Sequence, residues 1–424
     1  MLVTRVAAEA PVDDRLRRKR DFQSLLAGSS VSMLGSRLTA IGLPLLVLAV
    51  TGSPLVAGWA GFAAAAPSIL VLLPAGALVD RWNSRRAMTF SELGRGVAIA
   101  AVVVVVLLGR PSVEILIGLV VVEEVLGVFS ALSERRIICS LVEPDNTASA
   151  LASAEARTHM VVLAGRSLGA FLFGLGQALP FLADALSFGV SASVLMRIGQ
   201  RQEPPQPAEI AERNLWREIG DGLRWVRSDQ FARIAFPLTA CATLIGQALI
   251  MVFLAEAHAR DLPSAQIGMV LAASGAGGAL GSATAYWLFQ HFQYRLLHIQ
   301  MWIWTGMFAL LAWSGGKSIF LMAVALTVTG FAGALGNIAL DTYLLRKVDV
   351  NMLGRATSID RLTTFGGLAL GPLLGGAIAE RNGVAQSIFA LFVAAALLTA
   401  ATAVASRRAR RGGSPRRAGS RTTA

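Results

Sequence analysis

The chain reads as an all-α polytopic membrane protein, and three observations lead there. Of its 424 residues, 54% are hydrophobic and only 15% charged, with a mean hydropathy of +0.61; soluble domains carry a larger charged share. The apolar residues gather into runs of about 20 residues or more, the length that takes an α-helix across a ~30 Å hydrocarbon core. Most of the 38 Lys+Arg fall in the terminal stretches and between alternate runs, as they do when one side of a membrane collects the positive charge.

Residues 1–21 form a basic arm with Arg15, Arg17, Arg18, Lys19 and Arg20. They are expected to be disordered and cytoplasmic, and no signal peptide is expected, because the first apolar run is a full span. A first bundle, 22–199, then holds six spans: Phe22–Val50, Leu55–Val79, Ala87–Gly109, Val113–Ile138, Ala148–Gly174 and Gln177–Met196. Residues 200–230 are a linker. Its first part is polar and proline-rich, with E-P-P-Q-P at Glu203–Pro207. In its second part Leu215, Ile219, Leu223 and Val226 share one helical face, with Arg217, Arg224 and Arg227 towards the flanks. That pattern predicts an amphipathic helix lying on the cytoplasmic leaflet. A second bundle, 231–405, follows with Phe231–Ala257, Ala265–Phe289, Leu296–Trp313, Ile319–Leu344, Leu353–Ile378 and Ala385–Ala405. Residues 406–424 are an Arg/Ser/Gly-rich tail. With twelve spans, only Arg110, Arg260, Lys317 and Arg381 lie between spans on the side away from the termini. Both termini are therefore expected in the cytoplasm.

The short turn between the second and third spans, G-A-L-V-D-R-W-N-S-R-R-A-M at Gly76–Met88, organises the rest. Gly76 lets a neighbouring helix approach closely. Asp80 is an anion placed to cap a helix or pair with a base. Arg81, Arg85 and Arg86 mark the cytoplasmic side. This stretch resembles the loop signature G-x-L-a-D-r-x-x-r-R of the major facilitator superfamily. Three further stretches resemble that superfamily's drug and siderophore exporter branch, the enterobactin-exporter-like and macrolide-efflux-like proteins: S-x-L-G…L-P-L-L-V-L-x-x-T-G-S from Ser32 to Ser53, G-L-R-W-V-R at Gly222–Arg227, and A-D-A-L-S-F at Ala183–Phe188. The resemblance covers nearly all of Phe22–Ala405. It implies a major facilitator fold of two six-helix bundles working by alternating access, with the turn from Gly76 to Arg86 as a cytoplasmic gate and Asp80 set against the start of the eleventh span. The exporters' G-P-x-L-G-G stands here at Gly371–Gly376, in the eleventh span. In the fifth span Arg166 occupies the proline position.

The two halves also read as repeats offset by about 206 residues. Gly165 then matches Gly371 and Gly169 matches Gly375; these four, with Pro372 and Gly376, are the expected helix-packing positions. At the same offset Arg37, Glu123, Glu124, Arg166 and Asp184 face Thr243, Thr329, Gly330, Pro372 and Ala390. The fold therefore does not require the charges.

Ionisable residues inside spans are functional candidates by default. Glu123, Glu124 and Asp184 are the proton-coupling candidates, with Arg37 and Arg166 as charge partners. Glu123 and Glu124 are adjacent, about 100° apart on a helix, so at most one points squarely into a central cavity. Arg166 and Asp184 each lie about nine residues from the turn between the fifth and sixth spans, at similar depth, and are expected to pair. Glu92 and Arg95 read as structural or interfacial, and Glu155, Arg157 and His159 as a solvated helix end. Gln247 and Asn337 are cavity candidates, joined by Phe253, Trp302 and Trp304. Such a lining suits a bulky amphipathic molecule.

Neither Cys139 nor Cys241 has the setting of a disulfide or a metal ligand. No nucleophile–base pair or phosphate loop appears. No enzyme, cofactor, metal or nucleic-acid partner is expected. The reading is a monomeric carrier in the cell membrane, in contact with lipid. It exports an antibiotic, macrolide-like compound or siderophore in exchange for protons, with an uptake carrier or a transport-dead sensor of the same fold as alternatives.

Overall fold

A computed structural model describes residues 12–79, 81–109, 111–142, 157, 161, 164–165, 168–198, 215–229, 231–292, 295–316, 318–348 and 350–412. The described elements are helices: α1 (Val12–Thr51), α2 (Pro54–Leu70), α3 (Leu72–Val79), α4 (Ser84–Leu107), α5 (Val113–Leu141), α6 (Leu179–Arg197), α7 (Leu215–Ser228), α8 (Ala232–Ala259), α9 (Ser264–Phe292), α10 (Arg295–Trp313), α11 (Ile319–Lys347) and α12 (Val350–Gly412). Residues 168–175, in the expected fifth span, are helical as well. Lipid offers the backbone no hydrogen-bond partners, so a spanning chain of this composition satisfies its amides within helices. Among the described residues eight helices are long and apolar enough to cross a membrane.

Three helices depart from the sequence-based bounds. The expected second span breaks at Val71 into α2 and α3. Pro74 has no N–H for the carbonyl of Leu70, and its ring clashes with that carbonyl, so the helix restarts with the proline in its first turn. The N-terminal arm is helical from Val12, continuing the first span backwards through good helix formers. The last helix runs past Ala405 to Gly412. Within α12, Gly383 takes φ 71°, ψ 173°, a conformation open to glycine. It breaks α12 between the expected eleventh and twelfth spans.

Ser53, Asn83, Ser112 and Ser318 cap α2, α4, α5 and α11 by accepting from the N–H of Val56, Arg86, Ile115 and Leu321. Each satisfies an N–H that the helix leaves unpaired.

Two compact units make up the chain: Met1–Ala211 with Leu254–Gly275, and Glu212–Phe253 with Ala276–Ala424. In the first, α4 packs on α5 and α6, α1 on α6 and α2, and α2 on α5. Leu25, Met88, Ile137, Ile138, Leu141, Leu195 and Ile198 close one end of it as an apolar core. In the second, α10 packs on α11 and α12, and α12 on α7. There Asp229 accepts the N–H groups of Phe231 and Ala232 and the hydroxyl of Tyr343 at 2.7 Å, fixing the join between α7 and α8 to α11.

Candidate functional site

A buried network of charge occupies the middle of the first unit, and its centre is Arg95 of α4. The guanidinium donates from Nε and Nη2 to Oε1 of Glu123 on α5, at 3.0 and 2.6 Å. It donates from Nη1 to Glu92 one turn back, at 3.1 Å, and from Nη2 to Ser36 of α1 at 2.7 Å. Its carbon lies 4.3 Å from the centroid of the Phe188 ring on α6, within cation–π range. Four helices thus meet on one side chain. Ser130 of α5 donates to Glu92 at 2.6 Å, while Oε2 of Glu92 is buried without a hydrogen-bond partner. An arginine holding two carboxylates in a dry interior is electrostatically strong only with geometry of this kind.

The other two carboxylates have hydroxyl partners. Asp184 of α6, 0% exposed, accepts from Thr39 of α1 at 2.5 Å. A side chain at Gly35 would fall within 3.0 Å of the Asp184 Cα, so this glycine permits the α1–α6 crossing that joins the pair. Glu124 accepts from Ser68 of α2. Adjacent on α5, Glu123 and Glu124 therefore reach different helices, the divergence the helical angle predicts.

One sequence-based pairing changes. Arg37, expected beside a glutamate, has its Nε buried without a hydrogen-bond partner, and Glu123 is taken by Arg95 instead. The reason is register: Gly127 lies one turn from Glu123 on α5 and faces the Arg95 guanidinium, where a Cβ would meet it at 3.4 Å. Asp184 is bonded to Thr39, and its expected partner Arg166 lies outside the described residues, as does Asp80 of the turn.

Within that turn, Gly76 is half-buried, and Arg81 and Arg86 are exposed. Arg85 donates to the carbonyls of Leu195 and Met196 at 2.7 and 2.6 Å. It thereby caps the C-terminal end of α6 in its own unit, a role the sequence reading missed. Two more such ties were missed. Arg136 donates to the carbonyl of Val79 at the end of α3, at 2.8 Å. Arg157, read as solvated, pairs with Glu134 at 2.9 Å and donates to the carbonyl of Leu26 at 2.9 Å.

The packing glycines meet the first helix of each half. A Cβ on Gly169 would lie 3.0 Å from the Leu38 Cα; one on Gly375 would lie 2.8 Å from the Ala248 Cα. Gly165 faces Arg37, and Gly371 faces Gln247. The packing thus makes Gln247 the counterpart of Arg37 in its own half, one helical turn beyond Thr243, and the repeat offset drifts in these helices. Pro372 lies inside α12, and Gly376 is buried. Among the cavity candidates, Gln247 and Asn337 are half-buried, and Trp302 is 65% exposed. Trp304 and Phe253 are buried and belong to the core: Trp304 donates to Thr329 at 3.0 Å and stacks edge-on against Phe308.

Residues 15–416 match the family model described as transmembrane secretion effector. An uncharacterized MFS-type transporter of Sinorhizobium fredii is 25% identical over 387 residues, covering 90% of this chain and 93% of that one. The enterobactin exporter EntS of Salmonella typhimurium is 24% identical over 386 residues, covering 86% and 87%. A bacterial homologue of the iron transporter ferroportin, solved in an inward-facing state, superposes with a TM-score of 0.67 over 92% of this chain and 99% of that one. At 16% identity that likeness shows the fold alone, the major facilitator fold. The chain is thus a multi-pass membrane transporter, not an enzyme, and it belongs to the transmembrane secretion effector family of the major facilitator superfamily.

Proposed function

We propose that this transporter exports a hydrophobic or amphipathic small molecule (an antibiotic, a macrolide-like compound or a siderophore) by alternating access, in exchange for protons. The observation that carries this reading is the buried network of the first unit. Among the described residues, Glu92, Glu123, Glu124 and Asp184 stand there with Arg37 and Arg95 among apolar helices. Charges at that depth are unfavourable by about 2.5–3.5 kcal/mol each on insertion scales, and the second half packs corresponding helices on neutral side chains such as Gln247 and the Trp304–Thr329 pair. A fold that needs no charge there retains it for work, and proton exchange is the work carboxylates do in a membrane. The similarity to an enterobactin exporter supports the outward direction.

In this reading bundles 22–199 and 231–405 rock about a site near the bilayer midplane, with both termini in the cytoplasm of a bacterial cell. Gln247 and Asn337 contribute polar contacts to the substrate. The turn holding Gly76, Asp80, Arg81, Arg85 and Arg86 closes the cytoplasmic side.

A susceptibility screen in an efflux-deficient host tests the proposal. Expression should protect against at least one amphipathic compound and lower its accumulation, and a protonophore should abolish the effect. Raised accumulation identifies an uptake carrier and overturns export. An unchanged flux of every compound points to a sensor.

A further inference from the structure

We infer that the four buried carboxylates divide by the chemistry of their partners: Glu92 and Glu123 are fixed anions positioned by Arg95, whereas Glu124 on Ser68 and Asp184 on Thr39 are two separate proton-exchange sites. The inference rests on the proton-coupled reading above and specifies where the protons go.

A guanidinium has five N–H donors and no acceptor. The oxygen of Glu123 that accepts both Nε and Nη2 of Arg95 must go on accepting, and a proton on the other oxygen would remove the negative charge that this ion pair holds. Glu92 is in the same position at Oε1, which accepts from Arg95 and from Ser130. Its Oε2 is buried without a partner, so a proton placed there has nothing to bond to. A hydroxyl behaves differently, because it both donates and accepts. Ser68 and Thr39 donate to a carboxylate as found here, and each turns to accept from a carboxylic acid with little movement of heavy atoms. The two hydroxyl-bonded carboxyls can gain and lose a proton while every bond in the network stays satisfied. The two arginine-bonded ones can gain a proton only by giving up the charge that pairs with Arg95.

Charge counting agrees. Among the described residues, two guanidiniums, Arg37 and Arg95, stand with four carboxylates. One proton on each hydroxyl-bonded carboxyl brings this described set to neutrality, the arrangement a low-dielectric interior favours. The two sites also lie on different helix pairs, α2–α5 for Glu124 and α1–α6 for Asp184, so a rearrangement of either pair reaches one proton without the other. Arg95 touches neither proton. It acts by holding Glu123 turned away from α2.

Infrared difference spectra of the purified wild-type protein across a pH titration test this without any substrate, through the carbonyl stretch of protonated carboxyls. Glu124→Gln and Asp184→Asn should each delete one pH-dependent component, and Glu123→Gln should delete none. Ser68→Ala should shift the component lost in Glu124→Gln, and Thr39→Val the one lost in Asp184→Asn. A component that disappears in Glu123→Gln overturns the division. If that variant does not fold, the two hydroxyl variants decide, since each keeps every carboxylate; spectra unmoved by both overturn it. Export by the wild type that ignores a protonophore contradicts the proton-coupled reading instead, and the spectra do not depend on it.

Discussion

Arg95 and Glu123 meet through two hydrogen bonds to one carboxylate oxygen, at 2.6 and 3.0 Å, where α4 crosses α5. In the second half, α10 and α11 carry a neutral bond at 3.0 Å between Trp304 and Thr329, and Thr329 is the repeat counterpart of Glu123. Polar contacts thus join the corresponding helices in both halves, and among the described residues the first half makes them with charge.

Removing either partner from the ionic version strands the other. Arg95→Leu and Glu123→Leu should each destabilise the first unit by about 3–5 kcal/mol. The double variant should be less damaged than the sum, with a coupling of about 0.5–3 kcal/mol. Trp304→Phe, which loses one neutral bond, should cost about 1 kcal/mol. Thermal unfolding in detergent measures all four; additive losses at Arg95 and Glu123 would refute the contact.

The packing glycines divide sharply by what surrounds them. Gly371→Ala would set a methyl 2.8 Å from the Leu244 carbonyl oxygen, and Gly375→Ala one at 2.8 Å from the Ala248 Cα. Each should destabilise by about 1–3 kcal/mol through overpacking. Gly333→Ala meets nothing within 4 Å and should leave the melting temperature unchanged or raise it, since alanine is the better helix former. Equal effects at Gly333 and Gly375 would contradict the crossing.

Arg85 reaches two carbonyls with two nitrogens of one planar group. Arg85→Ala should lower stability by about 1–2 kcal/mol through lost capping of α6. Arg85→Lys should recover little of it, because an ammonium on a flexible stem does not reproduce the fork. Full rescue by lysine, read as melting temperature, would show that charge alone suffices.

Topology is testable from outside the cell. Cys139 and Cys241 are both exposed, so they are replaced first. Single cysteines are then placed at Gln206 and Ser414, in the proposed cytoplasmic linker and tail. Neither should react with a membrane-impermeant reagent in intact cells. Labelling of Gln206 overturns the twelve-span arrangement.

The fold was legible because bilayer thickness and backbone satisfaction leave few options for runs as long as Val113–Leu141, and because Gly165 and Gly169 recur as Gly371 and Gly375. The divergence of Glu123 and Glu124 followed from helix geometry alone. The centre of the network did not. Arg95 lies mid-helix with Glu92 one turn away, so in sequence it reads as a local pair within one span, and its bond to Glu123 depends on how α4 and α5 register, which hydropathy does not encode. Thr39 and Ser68 stayed hidden because hydroxyls are common in spans and become informative only beside a carboxyl. A fixed repeat offset misplaced the counterpart of Arg37, since a drift of one helical turn leaves the hydrophobic pattern intact while it changes which side chain meets a glycine.

The most direct test of proton-coupled export uses everted membrane vesicles acidified by respiration, with a pH-sensitive acridine dye reporting the gradient. Adding a compound against which expression protects cells should collapse part of the gradient in vesicles holding the wild-type protein, and much less in those holding the Glu124→Gln, Asp184→Asn double variant. A gradient untouched by every protective compound would contradict proton antiport.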